Sequence, residues 1–133
     1  INRKFLNLVS TKKGSTKSID DLIFSLKVAK HLKSNAIVLS RNKQTLGLGH
    51  GHTNRVDALY YAIKNMNKYF KKGKFVCASD GFFPFIDSIN LLNRNGCNAV
   101  AQPGGSINDK VIISFSIKNK ISLYFTKNRL FKH

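Results

Sequence analysis

Apolar residues recur along the chain with two different periods, and each change of period marks the boundary of a predicted element. Four segments repeat apolar residues at helical spacing, whereas short apolar runs between them are typical of strands. The predicted helices cover residues 18–33, 55–70, 84–95 and 106–117. The predicted strands cover residues 36–39, 45–48, 75–78, 99–101 and 121–125. The first two strands are separated by a short polar turn and therefore predict a hairpin.

The order of these elements predicts an α/β fold. After one helix and the hairpin, helices and strands alternate, which favours a mainly parallel central sheet with helices on both faces. Ligand-binding groups are then expected in the loops beyond the strand ends. Ser18 with Asp21, and Ser106 with Asp109, have the spacing of a capping box at the first and fourth helices. The residues before Ser18 are expected to be a flexible lead-in, and residues 1–133 to form a single domain.

The composition narrows the possible classes of protein. A hydrophobic fraction of 42% excludes a disordered chain. No apolar run is long enough to cross a membrane, and no leader pattern opens the chain, so a cytoplasmic location is the default expectation. The net charge of +17 allows a basic nucleic-acid-binding module. However, the lysines are scattered along the chain, which favours a solvated basic surface.

Metal and disulfide chemistry are not expected. Cys77 and Cys97 lie far apart, without a CxxC motif, and are expected to be buried thiols. His50 and His52 lie in a glycine-rich loop, but no third ligand has a recognisable spacing, so no metal site is predicted. The glycines of this loop allow either the close approach of a ligand or a tight turn.

The segment Ala78-Ser-Asp-Gly-Phe-Phe-Pro-Phe-Ile-Asp87 is the strongest indication of a ligand site. It follows a buried strand and would be costly to expose to water, because it contains three phenylalanines. Arg55, after the glycine loop, is suited to bind a carboxamide or phosphate, although a surface arginine is the alternative. Asn35 precedes a strand and offers an amide to a ligand, although it would also serve as a helix C-cap.

Two further positions are candidates for binding an anionic or carbonyl group. Ser106 and Ile107 lie where Pro-Gly-Gly meets a helix, so their N–H groups and the helix dipole favour such a ligand, unless Ser106 only caps the helix. Arg129 near the C-terminus is suited to bind a phosphate, or else belongs to a basic tail.

Taken together, several motifs resemble those of aminoimidazole carboxamide ribonucleotide (AICAR) transformylase, and the resemblance runs from about Val9 onward. The motifs are Lys30-His-Leu-Lys-Ser-Asn-Ala-Ile-Val38, Gly47-Leu-Gly-His-Gly-His-Thr-Asn-Arg-Val-Asp57, Ala78-Ser-Asp-Gly-Phe-Phe-Pro-Phe85, Gln102-Pro-Gly-Gly-Ser106 and Arg129-Leu-Phe-Lys-His133. In that family the transformylase is usually the C-terminal part of a bifunctional purine-biosynthesis protein, behind an IMP cyclohydrolase domain.

The resemblance implies a three-layer, cytidine-deaminase-like α/β/α fold that occurs twice in the transformylase region, with this chain as the second copy. It implies transfer of a formyl group from 10-formyltetrahydrofolate to AICAR, at a site that lies on a homodimer interface. The implied AICAR contacts are Asn35, Arg55, Phe82 and Arg129. The implied folate contacts are Val56, Asp87, Ser106 and Ile107. Relatives also allow a structural potassium ion behind the phenylalanine-rich loop.

This chain departs from the family pattern at important positions. The catalytic Lys-His pair of the family lies in a Lys-His-x-x-Pro-x-Gly motif in the first half of the transformylase region. That motif is absent here, and Lys30-His31 is a different dipeptide on a predicted helix. No catalytic residue is therefore expected in this chain. His50, His52, Asn54 and Ile86 also replace the usual residues beside the site. An independent transferase that uses His50 or His52 as its base, and a remnant without function, are the remaining alternatives.

Overall fold

The computed structural model describes residues 1–127, which fold into one mixed sheet with helices on both faces. The helices of this part are α1 (Thr16–Ala29), α2 (Arg55–Tyr69), α3 (Ile86–Arg94) and α4 (Asp109–Lys118). The strands are β1 (Leu6–Leu8), β2 (Ile37–Arg41), β3 (Gln44–Gly49), β4 (Phe75–Ser79), β5 (Cys97–Pro103) and β6 (Ser122–Thr126). The α/β class predicted from the sequence is therefore confirmed.

The sheet has the strand order β1-β6-β5-β4-β2-β3. β4, β5 and β6 run parallel, whereas β2 is antiparallel to both β3 and β4, and β1 is antiparallel to β6. The predicted β2–β3 hairpin is confirmed, because its two-residue turn reverses the chain. The prediction of a mainly parallel sheet was wrong for the β1–β6 and β2–β4 pairs. After α2 the chain returns beside β2 rather than beside β3, so β4 is antiparallel to its neighbour β2.

Two apolar clusters cover the two faces of the sheet. On one face α1 packs on the sheet, with Leu22 and Leu26 fully buried against Val38 and Val76. On the other face α2, α3 and α4 bury Leu59, Ile89 and Ile112 with residues such as Cys77 and Val100. This arrangement is the expected three-layer α/β/α sandwich. Cys77 and Cys97 are buried free thiols, as predicted.

The start of the chain differs from the prediction. Leu6–Leu8 is not a flexible lead-in but forms β1, which pairs with β6 from Leu6 opposite Thr126 to Leu8 opposite Tyr124. The Ser15 side chain caps α1 by accepting the N–H of Ser18, so the predicted capping box at Ser18 was wrong.

Asp21, the other half of that predicted box, serves the β2–β3 turn instead. Its carboxylate accepts the N–H groups of Asn42 at 3.1 Å and Lys43 at 2.8 Å. Both turn residues have positive φ, 55° and 54°, as a tight hairpin turn requires. Asp21 is buried beneath the turn and thereby ties α1 to the hairpin.

The later helices begin close to their predicted positions. Asn54 caps α2 at the predicted start, whereas α3 starts at Ile86, two residues after Pro84. α4 starts at Asp109 rather than Ser106, although the Asp109 carboxylate does reach back to the N–H of Ser106, as in a capping box. Within residues 1–127 no helix combines the length and hydropathy needed to span a membrane.

Candidate functional site

One edge of the sheet collects most of the candidate residues. Because β2 is antiparallel to β3 and β4, its first residue lies beside the last residues of both neighbours, with Ile37 opposite Gly49 and Ser79. The parallel strands β5 and β6 also end at this edge. Asn35 therefore enters the site just before β2, while Arg55 and Asp80 come from the segments that follow β3 and β4.

Asn35 and Arg55 are in direct contact. The Arg55 guanidinium donates from Nη2 to Asn35 Oδ1 at 2.6 Å. Asn35 in turn donates from Nδ2 to the carbonyl oxygen of His52 at 3.0 Å. α1 has already ended at Ala29, so Asn35 is not its C-cap, and that alternative was wrong. Two of the residues that the resemblance implies as AICAR contacts thus form one hydrogen-bonded pair.

Asp80 is the third member of this arrangement. The Arg55 guanidinium donates from Nη1 to Asp80 Oδ1 at 2.5 Å and to Ser79 Oγ at 3.1 Å. The side chain of Arg55 is 12% exposed and that of Asp80 only 1%, so Arg55 is not a surface arginine. Asp80 lies within the segment Ala78–Asp87 that was predicted to form a ligand site, but no function was predicted for Asp80. A carboxylate directly after a strand buried along its whole length was the signal that could have identified it.

Gly81 makes room for the arginine. A Cβ at this position would overlap Arg55 Nη2 and lie 2.8 Å from Cζ. The guanidinium therefore lies against the backbone of the loop that continues into Phe82. The glycine of the loop motif has a steric reason for being there.

The phenylalanine-rich loop is held from two sides. Phe83 is fully buried, and its N–H donates to Gln102 Oε1 at 2.9 Å. Asn108, just before α4, donates from Nδ2 to the carbonyl oxygen of Pro84 at 2.8 Å. Phe82 is half-buried beside Gly81, whereas Phe85 is exposed. Gln102 and Asn108 therefore hold the loop in place. No function was predicted for either residue from the sequence.

Ser106 and Ile107 occupy the turn before α4, not its first helical positions. The Asp109 carboxylate accepts the N–H groups of Gly105 at 2.9 Å and Ser106 at 3.2 Å. Ser106 Oγ accepts the N–H of Asn108 at 3.0 Å. A ligand at Ser106 would therefore have to compete with Asp109, while the Ile107 side chain is 99% exposed.

The other predicted contacts are less closely joined. Val56 and Asp87 lie in the first turns of α2 and α3, half-buried and exposed respectively. Among the hydrogen bonds of residues 1–127, none links Asp87 to Val56, Ser106 or Ile107. Arg129 lies outside the described residues.

Within residues 1–127, the histidines of the glycine loop do not belong to a cluster of metal ligands. His50 is exposed, and the ring of His52 packs against Tyr61 with 5.5 Å between ring centroids. In the described part of the chain no group of three or more His, Cys, Asp or Glu side chains is placed to hold a metal ion.

Two side chains that belong to or contact the phenylalanine-rich loop each have one polar atom buried without a protein partner within residues 1–127. These atoms are Asp80 Oδ2 and Gln102 Nε2. Buried polar groups are normally paired with protein, water or a ligand. These atoms therefore leave one acceptor and one donor open beneath the phenylalanine-rich loop.

Comparison with solved structures agrees with the architecture. A dCMP deaminase from the cyanophage S-TIM5, solved in its apo form, matches with a TM-score of 0.50 and 17% sequence identity. The match covers 74% of this chain and 91% of the deaminase. At this identity the likeness is evidence for the fold alone, and it confirms the cytidine-deaminase-like arrangement expected from the sequence.

Sequence comparisons identify the family. The family model described as AICARFT/IMPCHase bienzyme matches residues 1–65. The bifunctional purine biosynthesis protein PurH of Buchnera aphidicola subsp. Baizongia pistaciae is 46% identical over all of this chain, and that of Caldicellulosiruptor bescii is 47% identical over 96% of it. The Aquifex aeolicus protein is 43% identical over 96%. The chain spans about a quarter of the length of these relatives (25%, 25% and 26%). It belongs to the AICARFT/IMPCHase bienzyme family and represents one region of the bifunctional purine biosynthesis protein.

Proposed function

We propose that this chain is the C-terminal segment of the AICAR transformylase region and supplies binding groups for formyl transfer from 10-formyltetrahydrofolate to AICAR. The observation that carries the proposal is the hydrogen-bonded pair of Asn35 and Arg55, which is half-buried at one edge of the sheet. The family of the chain and its deaminase-like fold agree with the proposal.

The electrostatics of this pair favour a carboxamide over a phosphate. Asp80 neutralises the charge of Arg55 at close range, so the pair offers directed hydrogen bonds without a net positive charge. A carboxamide has an oxygen that accepts from the guanidinium and an NH₂ group that donates to an amide oxygen such as Asn35 Oδ1. A phosphate dianion would need an uncompensated cation. We assign that role to Arg129, and a stacking contact with the nucleotide to Phe82.

The folate would lie along the turns that carry Val56, Asp87, Ser106 and Ile107. Ser106 can present its N–H only if the ligand displaces Asp109, so folate binding and the order of this turn are coupled. The chain lacks the Lys-His pair of the family, so turnover requires the other half of the transformylase region, in a homodimer. We expect the assembled enzyme to work in the cytoplasm.

A potassium ion behind the phenylalanine-rich loop is compatible with the residues present. Potassium is a hard cation that prefers oxygen ligands. Asp80 Oδ2 is a buried carboxylate oxygen without a protein partner among residues 1–127, so Asp80 would be one of its ligands.

Calorimetry with AICAR tests the proposal. We expect the chain to bind AICAR and the Arg55→Ala variant to bind at least tenfold more weakly. Arg41→Ala is the matched control, because the Arg41 guanidinium is also held by hydrogen bonds, to the backbone carbonyl oxygens of Lys71 and Lys74, but at the opposite edge of the sheet.

Formyl transfer should appear only when the chain is mixed with the other three quarters of a relative such as the Buchnera protein. No binding of AICAR by the chain or by the mixture would overturn the proposal. Turnover by the chain alone would contradict the assignment of catalysis to the missing half.

A further inference from the structure

Asp80 connects the two residues that hold the proposed substrate, although it is too deeply buried to touch that substrate itself. One oxygen, Oδ1, accepts from Arg55 Nη1 at 2.5 Å and from the backbone N–H of Ala36 at 3.1 Å. Ala36 directly follows Asn35. We propose that Asp80 is the positioning residue of the site, which sets the orientation of the Arg55 guanidinium and holds the backbone that carries Asn35. This inference rests on the proposed function.

The Asp80 carboxylate is held in place by hydrogen bonds to the backbone beside Asn35. Asp80 follows β4 and exchanges hydrogen bonds with Ala36, since its backbone N–H donates to the Ala36 carbonyl oxygen at 3.1 Å while its side chain accepts from the Ala36 N–H. Ala36 directly precedes β2 and Asp80 directly follows β4, and these two strands pair with each other. The carboxylate therefore has a fixed place relative to Asn35.

The guanidinium receives its orientation from that carboxylate. An arginine side chain has many rotamers, and its planar head can recognise an amide only when one plane and one direction are selected. Nη1 is held by Asp80 and Ser79, while Nη2 of the same guanidinium meets Asn35 Oδ1 at 2.6 Å. Gly81 leaves the space that this orientation needs.

The charge of Asp80 also keeps Arg55 inside the site. A guanidinium that is 12% exposed would lose its counter-ion in the Asp80→Asn variant. The charged head would then turn toward water, because an unpaired buried charge is unfavourable. The amide oxygen introduced by Asp80→Asn could still accept the N–H of Ala36, so the variant removes the negative charge that holds Arg55 and retains the acceptor for the backbone contact.

A double-mutant cycle on the full chain tests this inference, with AICAR binding measured by calorimetry. We expect Asp80→Asn to weaken binding by about tenfold in the wild-type background and by less than twofold in the Arg55→Lys background. Equal losses in both backgrounds would indicate a merely structural role and overturn the proposal. Asp21→Asn is the matched control, because Asp21 is another buried carboxylate that accepts backbone N–H groups, at the opposite edge. Its effect on the affinity of the folded protein should stay below twofold.

Nuclear magnetic resonance separates a failure of this inference from a failure of the proposed function. A held guanidinium shows two resolved ¹⁵Nη signals for Arg55, which are assigned by their loss in Arg55→Lys. We expect resolved signals in the wild type, with or without AICAR, and merged signals in Asp80→Asn. Merged ¹⁵Nη signals in the wild type would mean that the Arg55 guanidinium rotates freely. That result would overturn the positioning role, even if Asp80→Asn does not fold.

Discussion

Gly47 in β3 lies directly against Ala62 in α2, without room between them for a side-chain carbon. A Cβ on Gly47 would overlap the carbonyl oxygen of Ala62 and lie 2.9 Å from its carbonyl carbon. Gly49 has the same relationship to Ala58, one turn earlier in the helix. The backbones of β3 and α2 are thus in contact, and this contact determines where Arg55, the first residue of α2, enters the candidate site.

Gly47→Ala should lower the free energy of unfolding by about 2–3 kcal/mol, because rigid backbone atoms would have to move apart. Urea unfolding followed by circular dichroism measures the change. Gly73→Ala is the control, since a Cβ there would meet only the far end of the long Arg41 side chain, at 2.9 Å from Nη1, and we expect a loss below about 1 kcal/mol. Equal losses in the two variants would contradict the packing argument.

Gly81→Ala should affect binding more than stability. The new Cβ would displace the Arg55 guanidinium, which lies against the Gly81 backbone. We expect AICAR affinity to fall at least tenfold, as measured by calorimetry. Gly73→Ala again serves as the control, because it displaces an arginine that is remote from the site. Unchanged affinity in Gly81→Ala would show that the observed orientation of Arg55 is not needed for binding.

Asp21→Ala should destabilise the hairpin. The substitution removes the acceptor of two turn N–H groups, those of Asn42 and Lys43, and we expect a loss of about 1–3 kcal/mol. Asp20→Ala provides the comparison within the same helix, because Asp20 forms only an exposed ion pair with Arg3 at 3.3 Å. Asp20→Ala should lower the free energy of unfolding by less than about 1 kcal/mol. Thermal or urea unfolding of both variants measures the two losses. A larger cost for Asp20→Ala than for Asp21→Ala would refute this account.

Lys43→Gly should stabilise the chain. Lys43 has a φ of 54°, a conformation that glycine adopts without the steric penalty of a Cβ. We expect a gain of about 0.5–1 kcal/mol in the free energy of unfolding. Lys64→Gly, in the middle of α2, should instead cost about 1 kcal/mol. A loss of stability in Lys43→Gly would mean that the lysine side chain contributes more than its backbone strain costs.

The buried thiols should make stability fall at high pH. Burial raises the pKa of Cys97 from 9.0 to about 12, and burial together with the neighbouring Cys97 raises the pKa of Cys77 well above 9.0. The unfolded chain therefore loses these protons first. Their contribution is constant below about pH 9 and declines as pH rises from 9 toward 12.

Urea unfolding at pH 8 and pH 10.5 measures this decline, and a Cys77→Ala, Cys97→Ala variant is the control for other titrating groups. We expect the variant to lose less stability than the wild type between the two pH values. Both thiols should also resist a thiol reagent at pH 8 until the chain is unfolded. Rapid labelling of the folded protein would contradict their burial.

Local signals explain which elements could be predicted. α2 begins at the expected residue because Asn54 is a good N-cap that precedes a regular helical repeat, and both features act within a few residues. The β2–β3 hairpin follows from two apolar runs around a short polar turn. β1 was missed because a strand of three residues has too few alternating positions to show a period, and it exists only through its pairing with β6.

Long-range contacts explain what could not be predicted. Asp21 binds the turn residue Lys43, which is 22 residues away in the sequence. Asp80 binds Arg55, which is 25 residues away. The local spacing predicted that Asp21 caps a helix. Its actual partners, the N–H groups of the β2–β3 turn, are brought to it only by the packing of α1 on the sheet. The same holds for Gln102, which reaches the N–H of Phe83 from a neighbouring strand.

The sequence by itself therefore determined the kinds of element, the α/β class, the family and the loops in which a ligand site should lie, because these depend on short-range periodicity and on recognisable motifs. Only the tertiary structure decided how the strands outside the β2–β3 hairpin pair, and which partners the buried charges find. Strand direction depends on how distant segments pair, and the place of Arg55 between Asn35 and Asp80 depends on the sheet that brings their three loops to one edge.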